Sequence, residues 1–127
     1  MPEIIVTGAA GHPVVAPAAD QVIVLRGNHE LMMTRAREAR LQRLRGRNGF
    51  RFRQVDIADE PALKTALADA LPNAQRIVHL AAQAGVRYSI EQPEEYVRAN
   101  LNGHFNMLQF ARLAPKLEHL VYASSSS

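Results

Sequence analysis

The first segment able to do chemistry is Thr7-Gly8-Ala9-Ala10-Gly11, directly after the apolar run Ile4–Val6. Glycines after a strand let the backbone turn tightly and approach a pyrophosphate, whose charge the N-terminus of a following helix stabilises. A glycine pair also makes an ordinary turn, so its weight comes from standing in the first strand–helix unit of the chain. Cysteine is absent, which removes disulfides, thiolate metal sites and cysteine nucleophiles together. The histidines, His12, His29, His79, His104 and His119, lack any metal-ligand spacing such as H-E-x-x-H, so no metal is expected. They read as surface or strand-end residues. Eight arginines fall between Arg35 and Arg53, and such a cluster can hold nucleic-acid phosphates. No aromatic residue interleaves there before Phe50 and Phe52, and no helix-turn-helix or finger spacing accompanies it. A solvated helix face is expected instead, with no nucleic-acid partner.

The elements that must position these residues are legible from periodicity. A chain of 127 residues, 47% hydrophobic and 21% charged with a net charge of +3, allows one globular domain with a real core. No apolar run approaches the roughly 20 residues of a membrane span. The start, MPEIIVTGAAG, lacks the basic n-region and long apolar stretch of a signal peptide. A cytoplasmic domain with no membrane partner is the expectation. Short β-branched or aromatic runs at Ile4–Val6, Val22–Leu25, Phe50–Val55, Ile77–Leu80 and Leu120–Tyr122 predict strands. Between them, Leu63, Ala66, Leu67, Ala70 and Leu71 give a helix from Glu60 to Leu71, capped by Asp59 and stopped by Pro72. A second helix is predicted from Glu94 to Ala114, with Val97, Leu101, Phe105, Leu108 and Ala111 as its apolar stripe. A weaker pattern predicts a third from Leu31 to about Leu44. Strands alternating with helices mean an α/β fold with a parallel sheet.

Four segments, in this order, resemble one family. They are TGAAG near the start, Asp56-Ile57 after the third strand, HLAAQAGVRYS from His79 to Ser89, and YASSSS from Tyr122 to Ser127. Together they are similar to the extended short-chain dehydrogenases/reductases of the NAD-dependent epimerase/dehydratase family, most closely the UDP-glucuronate 4-epimerases. The resemblance implies a Rossmann-type doubly wound parallel sheet in the order 3-2-1-4-5, an NAD cofactor and a UDP-sugar substrate. It also implies hydride removal from C4 of the sugar and return to the other face. By the same resemblance, Gly8 and Gly11 meet the pyrophosphate, while Asp56 and Ile57 flank the adenine, the carboxylate accepting from its amino group. Leu80, Ala81 and Ala82 would line the nicotinamide-side ribose, and Asn100 would brace the active-site strand. Arg87, Tyr88 and Ser89 would sit where the sugar nucleotide approaches. Ser125 aligns with the family's catalytic Ser/Thr, which hydrogen-bonds the hydroxyl being oxidised. Plainer readings stand beside these: strand-end packing for Leu80 and the alanines, a rim residue for Asn100, an exposed loop pair for Arg87 and Tyr88, a turn cap for Asp56.

The chain also departs from the family. A third glycine, expected three residues after Gly11 for close helix–strand packing, is Val14 here. Nine residues, His12 to Asp20, separate Gly11 from the second strand region, fewer than in the family. A helix of that length spans about 13.5 Å, short of the roughly 17–20 Å of an ordinary strand, and Pro17 would break it. A shortened first crossover is expected. The second strand ends in Leu25-Arg26-Gly27-Asn28, where the family has an acid for the adenosine ribose. Arginine there accommodates a 2′-phosphate, so Arg26 makes NADP conceivable beside NAD. The block His12–Met33 looks altered as a unit, as paired frameshifts or an engineered replacement would leave it, with resemblance resuming at about Arg35. The only lysines are Lys64 and Lys116, and neither completes the family's Tyr-x-x-x-Lys segment, whose tyrosine is the general base. His79 or His104 would have to replace it, and neither stands at the family's spacing from Ser125. The expectation is one incomplete N-terminal dinucleotide-binding domain over residues 1–127, without a substrate domain and inactive alone. The alternative is a non-catalytic dinucleotide-binding module of the same fold.

Overall fold

Short β-branched runs separated by helical segments cannot pair as hairpins, so they are expected to pair in parallel through crossovers. The structure, a computed structural model, describes residues 3–8, 21–26, 39, 42–83 and 85–124. Among these residues, strands β1 (Glu3–Gly8), β2 (Gln21–Arg26), β3 (Phe50–Gln54), β4 (Ala74–Leu80) and β5 (His119–Tyr122) form one sheet. Its order is β3-β2-β1-β4-β5, and every neighbouring pair is parallel. This is the order that the family resemblance implies. Register brings the carboxyl ends to one rim: Gly8 lies beside Arg26 on one side and Leu80 on the other, and Arg26 lies beside Gln54. The chain crosses the sheet outward from β1 to β3, then returns to β4 on the far side of β1. The β1/β4 pair is therefore the switch point, outside which open α/β sheets bind ligands.

Helix α1 (Glu60–Leu67) forms as its sequence dictates. The Asp59 carboxylate accepts from the Ala62 amide at 3.1 Å, and Pro61 occupies the first turn, where its missing N–H is harmless. Leu63 and Leu67 are buried, as is Ala70 just beyond the helix. The helix stops at Leu67 rather than Leu71, and a 3₁₀ turn over Leu71–Asn73 leads into β4. Pro72 has no N–H to continue the helical ladder.

After β4 come α2 (Val86–Glu91), α3 (Pro93–Tyr96), a π-helical segment (Val97–Asn102) and α4 (Gly103–Leu113). The helix expected over Glu94–Ala114 thus exists, but its expected buried stripe does not. Val97, Leu101 and Phe105 are 54%, 65% and 57% exposed, and Leu108 is exposed too. The buried face instead carries Gly103, Met107 and Phe110, with Ala114 just past the end. Phe105 and Leu108 stand on the same regular helix as Met107 and Phe110, so the apolar count found a real face but not the one the fold covers. Met107 and Phe110 join Val55, Ile57, Leu63, Leu67 and Ile77 in the core, each large side chain contributing about 1.5–3 kcal/mol on burial.

The arginine-rich stretch is partly engaged within the fold. Arg51 and Arg53 reach Asp69 at 2.7 and 2.6 Å, and the Arg45 guanidinium lies 5.2 Å over the Phe52 ring. Of the third expected helix, residues 39 and 42–45 are helical; the rest lies outside the described residues. So do Gly11, Val14 and the crossover His12–Asp20.

A Cβ at Gly103 would stand 2.8 Å from both Cγ1 and Cδ1 of the buried Ile57. Gly103→Ala should therefore lower stability by a net of about 1–2 kcal/mol, overpacking outweighing the gain in helix propensity. The urea midpoint measures this, and adding Ile57→Val should restore part of the loss. An unchanged or raised midpoint would show that the contact yields freely.

Candidate functional site

Three loop starts share the carboxyl rim. Gly8 closes β1, Asp56 stands two residues beyond β3, and Ala81 follows β4 directly. Leu80 and Ala81 are half-buried and Ala82 is exposed, so small side chains floor the rim beside β1. Arg26 closes β2 on the same rim, and Ser125 lies outside the described residues. Ile57 turns its side chain into the core, while its carbonyl accepts from Asn106 Nδ2 at 2.9 Å.

The helical rod after β4 fastens two of these loops. Asn100 Oδ1 accepts from the Gln83 amide at 2.6 Å, and its Nδ2 donates to the Gln83 carbonyl at 3.0 Å. This pair of bonds braces the segment leaving β4. Arg98 Nη1 donates to Asp56 Oδ2, and Asp56 Oδ1 accepts from the Ala58 amide at 3.0 Å. The hydrogen bond to Asp56 raises the Arg98 pKa above its ordinary value against the opposing effect of burial, with Glu95 adding to the rise.

Arg87, Tyr88 and Ser89 lie on α2 rather than in a loop. That helix opens at Gly85, whose φ of 112° falls in the region only glycine adopts readily. The Gly85 carbonyl accepts from the Tyr96 hydroxyl. Arg87 is exposed and pairs with Glu91 at 3.4 Å, and the Tyr88 ring lies 6.2 Å from that of Tyr96. Ser89 Oγ donates to the Val86 carbonyl at 2.6 Å.

Sequence reasoning missed a ring cluster beside the rim. His79, on β4 and only 5% exposed, stacks on His104 with centroids 5.0 Å apart. His104 in turn meets the edge of Tyr122 at 5.1 Å. Burial, helped by the neighbouring His104, pushes the His79 pKa down to about 4, so the imidazole is neutral at pH 7. The overlooked signal was the spacing of Asn100 and His104, four apart on one helix face, which sets them over successive parts of β4's end. Among the described residues no group of three His, Cys, Asp or Glu side chains could hold a metal. No helix among them is long and apolar enough to cross a membrane.

Comparison with known proteins agrees with this geometry. The family model described as GDP-mannose 4,6 dehydratase matches residues 14–127, starting inside the block His12–Met33 that reads as altered, and earlier than the expected resumption near Arg35. The probable UDP-glucuronate 4-epimerase of Rhizobium meliloti is 47% identical over 100 residues, covering 78% of this chain and 27% of that protein. UDP-glucuronate 4-epimerase 3 of Arabidopsis thaliana is 36% identical, covering 98% of this chain and 30% of that protein. The chain thus spans under a third of either relative. The Thermus thermophilus UDP-glucose 4-epimerase, solved in complex with NAD, superposes with a TM-score of 0.68 at 26% identity, covering 97% of this chain and 37% of that one.

The buried imidazole makes stability depend on pH. Below its ordinary value of 6.5 the unfolded chain takes up a proton that folded His79 refuses until about pH 4. Stability should therefore be full above pH 6.5 and fall as pH drops through that window, by up to roughly 1.4 kcal/mol per unit. His79→Phe, which keeps a ring against His104, should flatten this part of the profile. Urea midpoints at several pH values decide it, and an equal slope in the variant would remove His79 as the cause.

Proposed function

The chain belongs to the GDP-mannose 4,6-dehydratase family, and we propose that it forms the NAD-binding portion of a nucleotide-sugar epimerase acting on UDP-glucuronate. The observation that carries this reading is the single rim on which Gly8, Asp56 and Ala81 flank the β1/β4 switch point. The residues there suit a dinucleotide. Gly8 leaves the backbone open to a pyrophosphate, Asp56 offers an acceptor for the adenine amine, and Ala81 and Ala82 leave space beside the second ribose. The identities of 47% and 36% to UDP-glucuronate 4-epimerases favour that sugar, and the NAD held by the Thermus thermophilus enzyme favours that cofactor. NAD, when bound, supplies the hydride acceptor and donor for C4 of the sugar.

The remaining work falls to this chain's own side chains. Asn100 fixes the Gln83 backbone, and with it the segment that follows Ala81 and Ala82. We assign Arg87, Tyr88 and Ser89 to the approaching UDP-sugar, and Ser125 to the hydroxyl being oxidised, which it orients without deprotonating. Serine alone has no usable base chemistry near neutral pH. A cytoplasmic location belongs to the same reading.

Two outcomes follow. The 127-residue chain should bind NAD⁺ saturably but weakly, at about 0.1–1 mM, since Val14 and Arg26 stand where the family has a glycine and an acid. Gly8→Val should abolish that binding. Titration with NAD⁺ and NADP⁺ followed by NMR measures both. A low-micromolar constant for either would show an undamaged site, and no saturation at several millimolar would sink the cofactor reading. UDP-glucuronate incubated with NAD⁺ and the same chain should show no C4 inversion above a Ser125→Ala control. Positioned base catalysis contributes roughly 10²–10⁴-fold, and no Tyr-x-x-x-Lys segment lies within these residues. Turnover above the control would contradict this.

A further inference from the structure

We propose that Arg98 is a positioning residue that holds the Asp56 carboxylate in the orientation that selects a dinucleotide's adenine amine. The proposal rests on the dinucleotide reading above and assigns a role to a residue that no motif marks. Arg98 lies in the π-helical segment, 42 positions from Asp56. Its guanidinium is itself held: Nε and Nη2 donate to Glu95 Oε2 at 3.3 and 3.1 Å. That grip turns Nη1 toward Asp56 Oδ2, while the Ala58 amide fixes Oδ1 at 3.0 Å. Both oxygens of Asp56 are thus tied, and the carboxylate plane cannot rotate freely. The side chains are only partly exposed, 33% for Arg98 and 19% for Asp56, so water screens the pair less than it would on an open surface.

The consequence is selection by hydrogen-bond polarity. An ionised carboxylate only accepts, and each of its oxygens can take more than one donor. The exocyclic amine of adenine donates to such a group, whereas the carbonyl that hypoxanthine carries at the same ring position also accepts and is repelled. Arg98 keeps the Asp56 carboxylate aimed. Without it the carboxylate can turn away, and the distinction between the two bases fades.

The test compares NAD⁺ with nicotinamide hypoxanthine dinucleotide, which differs at that exocyclic atom and its ring tautomer. Dissociation constants for both come from NMR titration of the 127-residue chain. The unaltered chain should prefer NAD⁺ by about 10-fold to 100-fold, the range of a hydrogen bond to a charged group. Arg98→Gln should reduce that ratio at least about 5-fold, mainly by weakening NAD⁺. Arg98→Lys should recover part of it, since the charge returns without the fork. In an Asp56→Ala background, Arg98→Gln should leave the ratio unchanged, because the residue it acts through is gone. If Arg98→Gln does not fold by circular dichroism, Glu95→Gln replaces it, releasing the guanidinium and lowering the ratio in the same direction. Equal weakening of both dinucleotides would mean a merely structural role and overturn the proposal. So would a ratio near one in the unaltered chain, or an unchanged ratio in the variants. Failure of the unaltered chain to bind either dinucleotide would instead remove the cofactor reading, and this proposal with it.

Discussion

The missing side chain at Gly103 is the constraint on which the rim depends. It lets α4 sit directly on Ile57, where any Cβ would intrude to 2.8 Å. Ile57 follows Asp56 in the loop leaving β3, so seating the helix there also seats that loop. Asn106, one turn further on, closes the contact by donating to the Ile57 carbonyl. A helix lifted by even part of an ångström would carry Arg98 and Asn100 away from the two loops they hold. Core packing and site geometry are the same contact here, because interiors packed to crystal-like density transmit such shifts.

What local physics controls was legible in the sequence. Strand runs, the Asp59 cap and the Leu63–Leu67–Ala70 face all depend on residues a few positions apart, and each stands as the spacing implies. The resemblance supplied the strand order, and the order is as it implied. The exposed stripe on the last helix was misread because periodicity marks an apolar face without saying which face the fold covers. The buried face had its own spacing in Gly103, Met107, Phe110 and Ala114, but glycine and alanine carry little weight in a count of large apolar residues. The pairing of Arg98 with Asp56 had no signal at all. It joins residues 42 apart through tertiary packing, which no local pattern encodes.

The second strand shows how a local rule survives a family-level departure. Sequence around it differs from the family's phosphate-binding pattern, yet Gln21–Arg26 pairs residue by residue with β1, and Val22–Arg26 with β3. A continuous apolar run, here Val22–Leu25, suffices for a central parallel strand. Ligand contacts demand more: a glycine in one place, an acid in another. Strand formation in this unit is therefore a separate matter from the phosphate-binding pattern.

Charge pairing follows a similar division. Arg51 and Arg53 engage an exposed carboxylate, Asp69, whose pKa falls to about 2 chiefly through the hydrogen bond from Arg53. Such exposed pairs contribute little, roughly 0–1 kcal/mol. The Asp56–Arg98–Glu95 cluster is better shielded, but shielding raises the desolvation cost along with the attraction, so its net stabilisation is also small. What it adds is direction. Glu95 holds Arg98, and Arg98 together with the Ala58 amide holds the Asp56 carboxylate just beyond β3. A flexible carboxylate would have to be ordered when a ligand arrives, at a cost of about 0.5–1.5 kcal/mol for an immobilised side chain. Here that ordering is completed by the fold itself, before any ligand reaches the rim.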